Sequence, residues 1–221
     1  MRALFCAAAL LLCVVPGCSE TRTPSYTVTI VYRFDGSPSE TAFREMMDET
    51  RALLGPASLR PEWRNRAEVT GSDSFEKLVV VDFHGSCRPG PVDSISKQDQ
   101  SKQDQPLGRT QVVDGEVLPF VEVECGRVQA FLHSSLWGGQ NQNSDLALGR
   151  ALARVLAHEL YHVLAGTTAH SGSGIAKPAL SGRDLSSSHL EFAPSDLELM
   201  KPEHERPVAV RVARRELRFV P

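Results

Sequence analysis

An α+β fold is expected from three features of the chain. β-Branched and aromatic runs are bounded by turn residues, several such runs fall close together before residue 133, and two segments carry apolar residues at helical spacing. Tyr26 to Phe34 reads as a strand, and Asp35-Gly36-Ser37-Pro38 turns the chain. Ser39 starts a helix in which Ala42, Phe43, Met46, Met47, Leu53 and Leu54 recur near the 3.6 period, until Gly55-Pro56 stops it. Lys77 to Phe83 is a continuous apolar run suited to a mostly buried strand. Val117 to Glu124 and Arg127 to Leu132 read as further strands, with Cys125-Gly126-Arg127 as a tight connection. The strongest helix opens at Ser144 or Asp145 and carries Leu148, Leu152, Val155, Leu156, Val163 and Leu164 on one face, with Gly166 placed to end it. A short helix is expected around Ser195 to Met200. In the tail from Arg206 to Val220, the alternation of Val208, Val210 and Val212 favours a strand. Arg211, Arg214, Arg215 and Arg218 favour a basic helical stripe instead, most simply a solvated face.

The chain has 221 residues, 41% of them hydrophobic, which suffices for one core, and residues 26–221 are expected to form a single domain. Its formal net charge of −3 shows no basic excess, so a nucleic-acid surface is not indicated. Residues 88–108 are Pro-rich and polar, and Ser96 to Gln105 repeats SKQDQ in tandem. Two copies of five polar residues cannot bury a core, so a flexible surface loop is expected there.

The only long apolar run, residues 3–15, is too short to span a membrane. With Arg2 ahead of it, it reads as the core of a signal peptide over residues 1–17. Val15-Pro16-Gly17-Cys18 resembles the lipobox of bacterial lipoproteins, although Pro16 stands where a small or hydroxyl residue is usual. The resemblance implies export to the bacterial cell envelope, periplasmic or at the surface. It also implies acylation of Cys18 and a tether over residues 18–25 that anchors the chain to a membrane. Cys6 and Cys13 would then leave with the signal, and the remaining pair, Cys87 and Cys125, reads as one structural disulfide in an oxidising compartment.

His158-Glu159-Leu160-Tyr161-His162 is an HExxH pattern inside the strongest helix. Residues four apart stack on adjacent turns, so both imidazoles can reach one metal ion. Zinc accepts neutral imidazole nitrogens, and a catalytic zinc takes three protein ligands and keeps one position open. Such an ion lowers the pKa of its bound water to about 7, and Glu159 is placed to take the proton. Downstream, Gly166 turns the chain and His170 follows as a candidate third ligand.

Here the sequence resembles the zincin metallopeptidases, most nearly the metzincin branch with its HExxHxxGxxH motif. The resemblance covers about residues 144–178. Gly166 lies four residues after His162 rather than three, and His170 eight rather than six. Where that branch has a methionine turn, this chain has Gly172 to Lys177 without methionine, leaving Ile175 or Ala176 to form the apolar floor. The resemblance implies a zincin-like fold: a twisted mixed β-sheet packed on the active-site helix, in an upper subdomain of about 26–166. A smaller C-terminal subdomain, about 167–221, closes a cleft for a peptide or protein substrate.

The leading expectation is therefore a membrane-anchored, exported zinc metallopeptidase with one zinc per chain on His158, His162 and His170. Glu159 would act as general base and then pass the proton to the leaving amine. Glu191 or Glu198, from a later helix, competes with His170 for the third position, with His189 a further outsider. A lipoprotein whose zinc is structural or serves binding alone is one alternative, and a zinc amidase acting on cell-wall peptides is another. Tyr161 reads as a packing residue. Arg150 and Arg154 continue the His158 stripe and could line the cleft or lie on an exposed face, and His84, His133 and His204 have no partner spacing.

Overall fold

The computed structural model describes residues 26–90, 105–135, 144–202 and 204–206. The signal, Cys18 and its tether, most of the 88–108 loop with its tandem repeat, and the tail from residue 207 lie outside the described residues. Strand β1 spans Tyr26–Phe34, β2 Leu59–Asn65, β3 Leu78–His84, β4 Gly108–Val113 and β5 Glu116–Glu124. Helix α1 spans Glu40–Leu54, α2 Cys125–Ser135, α3 Ser144–Ala165, α4 Gly182–Ser186 and α5 Pro194–Met200. Among the described residues no helix is long and apolar enough to cross a membrane.

The strands form one mixed sheet in the order β2-β1-β3-β5-β4. The first four run parallel, and β4 is antiparallel to β5 at one edge. Alternation sets the faces. Val28, Ile30, Val79, Val81, Phe83, Val121 and Val123 are buried and join one core with α1 and α3. The opposite face carries ion pairs such as Arg33–Asp82 and Arg109–Glu122.

Both edge strands escape the sequence reading for a physical reason. β2 (LRPEWRN) contains a proline and three charged residues, which only an edge tolerates. β4 (GRTQVV) begins inside the expected loop, at Gly108, and is polar over its first half. Its one sequence signal is the Asp114-Gly115 turn into β5, with φ of 51° and 80°, the pair that a two-residue hairpin favours. A second correction concerns Arg127 to Leu132, expected as a strand and found within α2. Val128 and Leu132 are both buried and four apart, the helical period, and the expected Cys125-Gly126-Arg127 connection is the first turn of that helix. Cys87 and Cys125 form a disulfide, their Cα atoms 4.9 Å apart, which ties the end of β3 to the start of α2.

Helices α1 and α3 cross closely. A Cβ on Gly149 would stand 2.4 Å from the Ala42 carbonyl oxygen, so no side chain fits there. Around that contact Glu45 pairs with Arg150 at 3.1 Å and Glu49 with Arg154 at 2.9 Å, and the Ser39 hydroxyl donates to Asp145. Arg154 is therefore neither exposed nor lining a cleft. Its side chain is 1% exposed, and it also donates to the Asp184 carbonyl at 2.6 Å, joining α3 to α4.

Candidate metal centre

Helix α3 is buried along most of its length, from Leu148 to Ala165, which fixes the rotation of its final turns. His158 and His162 thereby face one side, with imidazole centroids 5.0 Å apart. Gly166 takes φ of 58°, the left-handed conformation that ends a helix, and the Thr167 N–H closes the cap on the His162 carbonyl at 3.1 Å. The chain then doubles back to His170, whose ring lies 5.2 Å from that of His158 and 4.8 Å from that of His162. One ring nitrogen from each of the three lies within 4.8 Å of the others.

Proton positions follow from the partners. His158 Nδ1 lies 2.8 Å from the Ile175 carbonyl oxygen, and His162 Nδ1 lies 2.8 Å from that of Thr167. A carbonyl can only accept, so both Nδ1 atoms carry hydrogen and donate. In the neutral rings the two Nε2 atoms are then bare lone pairs, and they face each other at 3.3 Å. Two ligands of a tetrahedral zinc at about 2.0–2.1 Å stand roughly 3.3–3.4 Å apart. The separation fits a shared cation and is repulsive without one.

Burial, the largest cause, pushes His158 and His162 below the usual histidine range. Their hydrogen bonds to Ile175 and Thr167 oppose it in part, and the neighbouring imidazoles reinforce it. Neutral imidazole is the form a metal needs. Glu159 is 7% exposed, and burial raises its carboxyl above the ordinary glutamate range, while the Thr110 hydroxyl and the charges of His162 and His170 offset part of the rise. The result is a stronger base than a solvated glutamate.

The alternatives lie elsewhere. Glu191 and His189 are exposed, Glu198 pairs with Lys201, and none of them joins the three-histidine group. Tyr161 is 3% exposed and packs near Phe192, their rings 6.3 Å apart. His84 pairs with Asp35, and His133 and His204 are exposed and outside the group. Ile175 and Ala176 are fully buried, and Ile175 adds a carbonyl to the site. Thr110, on the edge strand over Glu159, is a site residue that the sequence reading missed, since an isolated threonine in a polar run carries no signal.

The site belongs to the three-imidazole centres able to hold one divalent cation, set on the face of a mixed α/β sheet domain. No protein-family model matches the chain, and no curated protein matches it. Among solved structures, archaemetzincin from Methanopyrus kandleri is similar at 12% identity, over 82% of this chain and 96% of that one, with a TM-score of 0.46. At that level the likeness decides nothing about activity, and the functional reading rests on the site's own atoms.

Proposed function

We propose that the protein is a zinc metallopeptidase, with one zinc per chain on His158, His162 and His170 and with Glu159 as general base. The observation that carries this reading is the pair of Nε2 atoms 3.3 Å apart, each turned toward the other because its Nδ1 hydrogen is committed to a carbonyl. Among the described residues the donor set is three imidazoles with neither a thiolate nor a fourth protein ligand, which suits zinc with a position left for substrate. Zinc so held supplies Lewis acidity: a competent nucleophile at neutral pH and a polarised carbonyl.

The remaining work falls to this chain. Ile175 and Thr167 keep the imidazoles in the ligating tautomer and orientation. Glu159 takes a proton from the attacking water as the water oxygen bonds to the peptide carbonyl carbon. It then delivers that proton to the amide nitrogen as the C–N bond breaks, leaving a carboxylic acid and an amine, which ionise to carboxylate and ammonium. Its raised proton affinity suits both halves of that exchange. The hydrophobic leader and the Val15-Pro16-Gly17-Cys18 run support export and a lipid anchor at Cys18, which would place this chemistry at a membrane of the cell envelope.

Glu159→Gln tests the mechanism: it should keep one zinc per chain and lose hydrolysis of a quenched fluorogenic peptide mixture. Equal turnover in wild type and variant refutes the assignment of Glu159. His170→Ala should lose tight zinc while Glu191→Ala keeps it, and the reverse would transfer the third ligand to the carboxylate.

A further inference from the structure

Strand β4 crosses the face of α3 that carries Glu159, and two of its residues meet that side chain. The Thr110 hydroxyl lies 2.7 Å from Glu159 Oε2 and 3.2 Å from the Glu159 backbone oxygen. A hydroxyl has one hydrogen, and the nearer, more basic acceptor is the carboxylate. Two residues earlier, on the same face of the strand, Gly108 is buried. A Cβ there would stand 3.0 Å from both Oε1 and Cγ of Glu159 and 2.9 Å from Val155 Cγ1. The ladder to β5 is irregular between Thr110 and Val112, the kind of bulge that re-aims a side chain beside an active site.

These contacts divide the two carboxylate oxygens. Oε2 is tied to the Thr110 hydroxyl, whereas Oε1 lies beside Gly108, where a side chain would crowd it. We propose that Thr110 is a positioning residue for Glu159, holding Oε2 so that Oε1 is the oxygen that takes and returns the proton, with Gly108 supplying the space. The proton-transfer half of this proposal rests on the metallopeptidase reading. The positioning half rests on the Thr110–Glu159 contact alone.

The test compares Thr110→Val, which matches threonine in shape without its hydroxyl, with Thr110→Ser, which restores the hydroxyl. Three readouts are taken on the full zinc-loaded chain: zinc per chain, steady-state kinetics on one fluorogenic peptide that wild type cleaves, and a crystal structure of each variant. Thr110→Val should keep its zinc and its KM while kcat falls between about tenfold and a hundredfold, the usual effect of letting a catalytic group wander by about an ångström. Thr110→Ser should recover kcat to within about threefold. Glu159 should leave its wild-type rotamer in the valine variant only. An unchanged kcat in Thr110→Val, a serine variant as slow as the valine, or loss of zinc in either would overturn the proposal. So would a Glu159 carboxylate that stays in place without the hydroxyl. If wild type cleaves nothing and Glu159 still moves in Thr110→Val, the peptidase reading and the proton half fail, while positioning by Thr110 stands.

Discussion

Replacing Arg154 with alanine should destabilise the fold far more than an ordinary helix substitution. Its side chain is 1% exposed, and its guanidinium meets Glu49 at 2.9 Å, the Asp184 carbonyl at 2.6 Å and the Ser187 hydroxyl at 3.3 Å. Truncation leaves the Glu49 carboxylate, itself only 19% exposed, and a backbone oxygen without their donor. Removing one partner of a buried pair costs about 3–5 kcal/mol, because the other charge is stranded in a medium that solvates it poorly. For a chain of this size, about 2–4 °C of melting temperature goes with each kcal/mol, so a fall of roughly 6–20 °C follows. Arg154→Lys should fall between, since an ammonium keeps the charge but cannot bridge Glu49 and the Asp184 carbonyl as a planar fork does. Urea titration of the metal-free protein is the appropriate assay, because bound metal would add its own stabilisation. An Arg154→Ala midpoint within about 1 kcal/mol of wild type would show that the pair is solvated and the reasoning wrong.

Two further outcomes follow from the same packing. Loss of the Cys87–Cys125 bridge in Cys87→Ser/Cys125→Ser should cost roughly 4 kcal/mol from the chain-entropy term for a loop of 38 residues. Equal urea midpoints for the double variant and the oxidised wild type would contradict it. Burial acts to raise the Asp184 carboxyl, but the Lys177 ammonium, the Ser181 hydroxyl and the Ser181 N–H together outweigh it and hold the group below the usual aspartate range. The unfolded chain therefore takes up this proton first as the pH falls. The contribution is complete above about pH 4, the unfolded value, and is lost below it as the pH drops through the folded one. Urea midpoints measured from pH 6 down to pH 3 should show that loss in wild type and a smaller slope in Asp184→Asn.

What could be read from the sequence was whatever the interior dictates. β1, β3 and β5 are central strands with apolar positions on the core face, and α1 and α3 carry apolar stripes, so burial writes each of them as a period. Edge strands are written by nothing so strong. β2 and β4 each pair on one side, carry charge on the other, and admit proline or glycine, so their sequences look like loop. The start of α2 reads as a strand because Val128, Ala130 and Leu132 also fit a short alternation, although Val128 and Leu132 equally mark one helical face. At the site, His158, Glu159 and His162 announce themselves by spacing, but the groups that orient them are mute. Two are backbone carbonyls, and the third is a threonine hydroxyl on an edge strand.

That silence bears on the spacing of the third histidine. Thr167 donates its N–H to the His162 carbonyl and accepts from the His162 ring, so the residue that caps α3 also fixes the second imidazole. The left-handed Gly166 before it sends the chain back toward His170. On the other side, the Ile175 carbonyl holds His158, while the Ile175 N–H is bonded to the Glu191 carbonyl at 3.0 Å and the Ser171 N–H to the Ala176 carbonyl at 2.8 Å. The path from 167 to 176 is thus pinned at both ends by main-chain bonds, and the residues between serve to span the gap. One extra residue between Gly166 and His170 lengthens that span without moving either pin, and the other precedes Gly166. A loop of unfamiliar length can therefore still bring His170 within 4.8 Å of the other two donors. Glycine is required at 174 for the same closure, since its φ is 71° and a Cβ there would stand 2.5 Å from the Glu191 carbonyl oxygen.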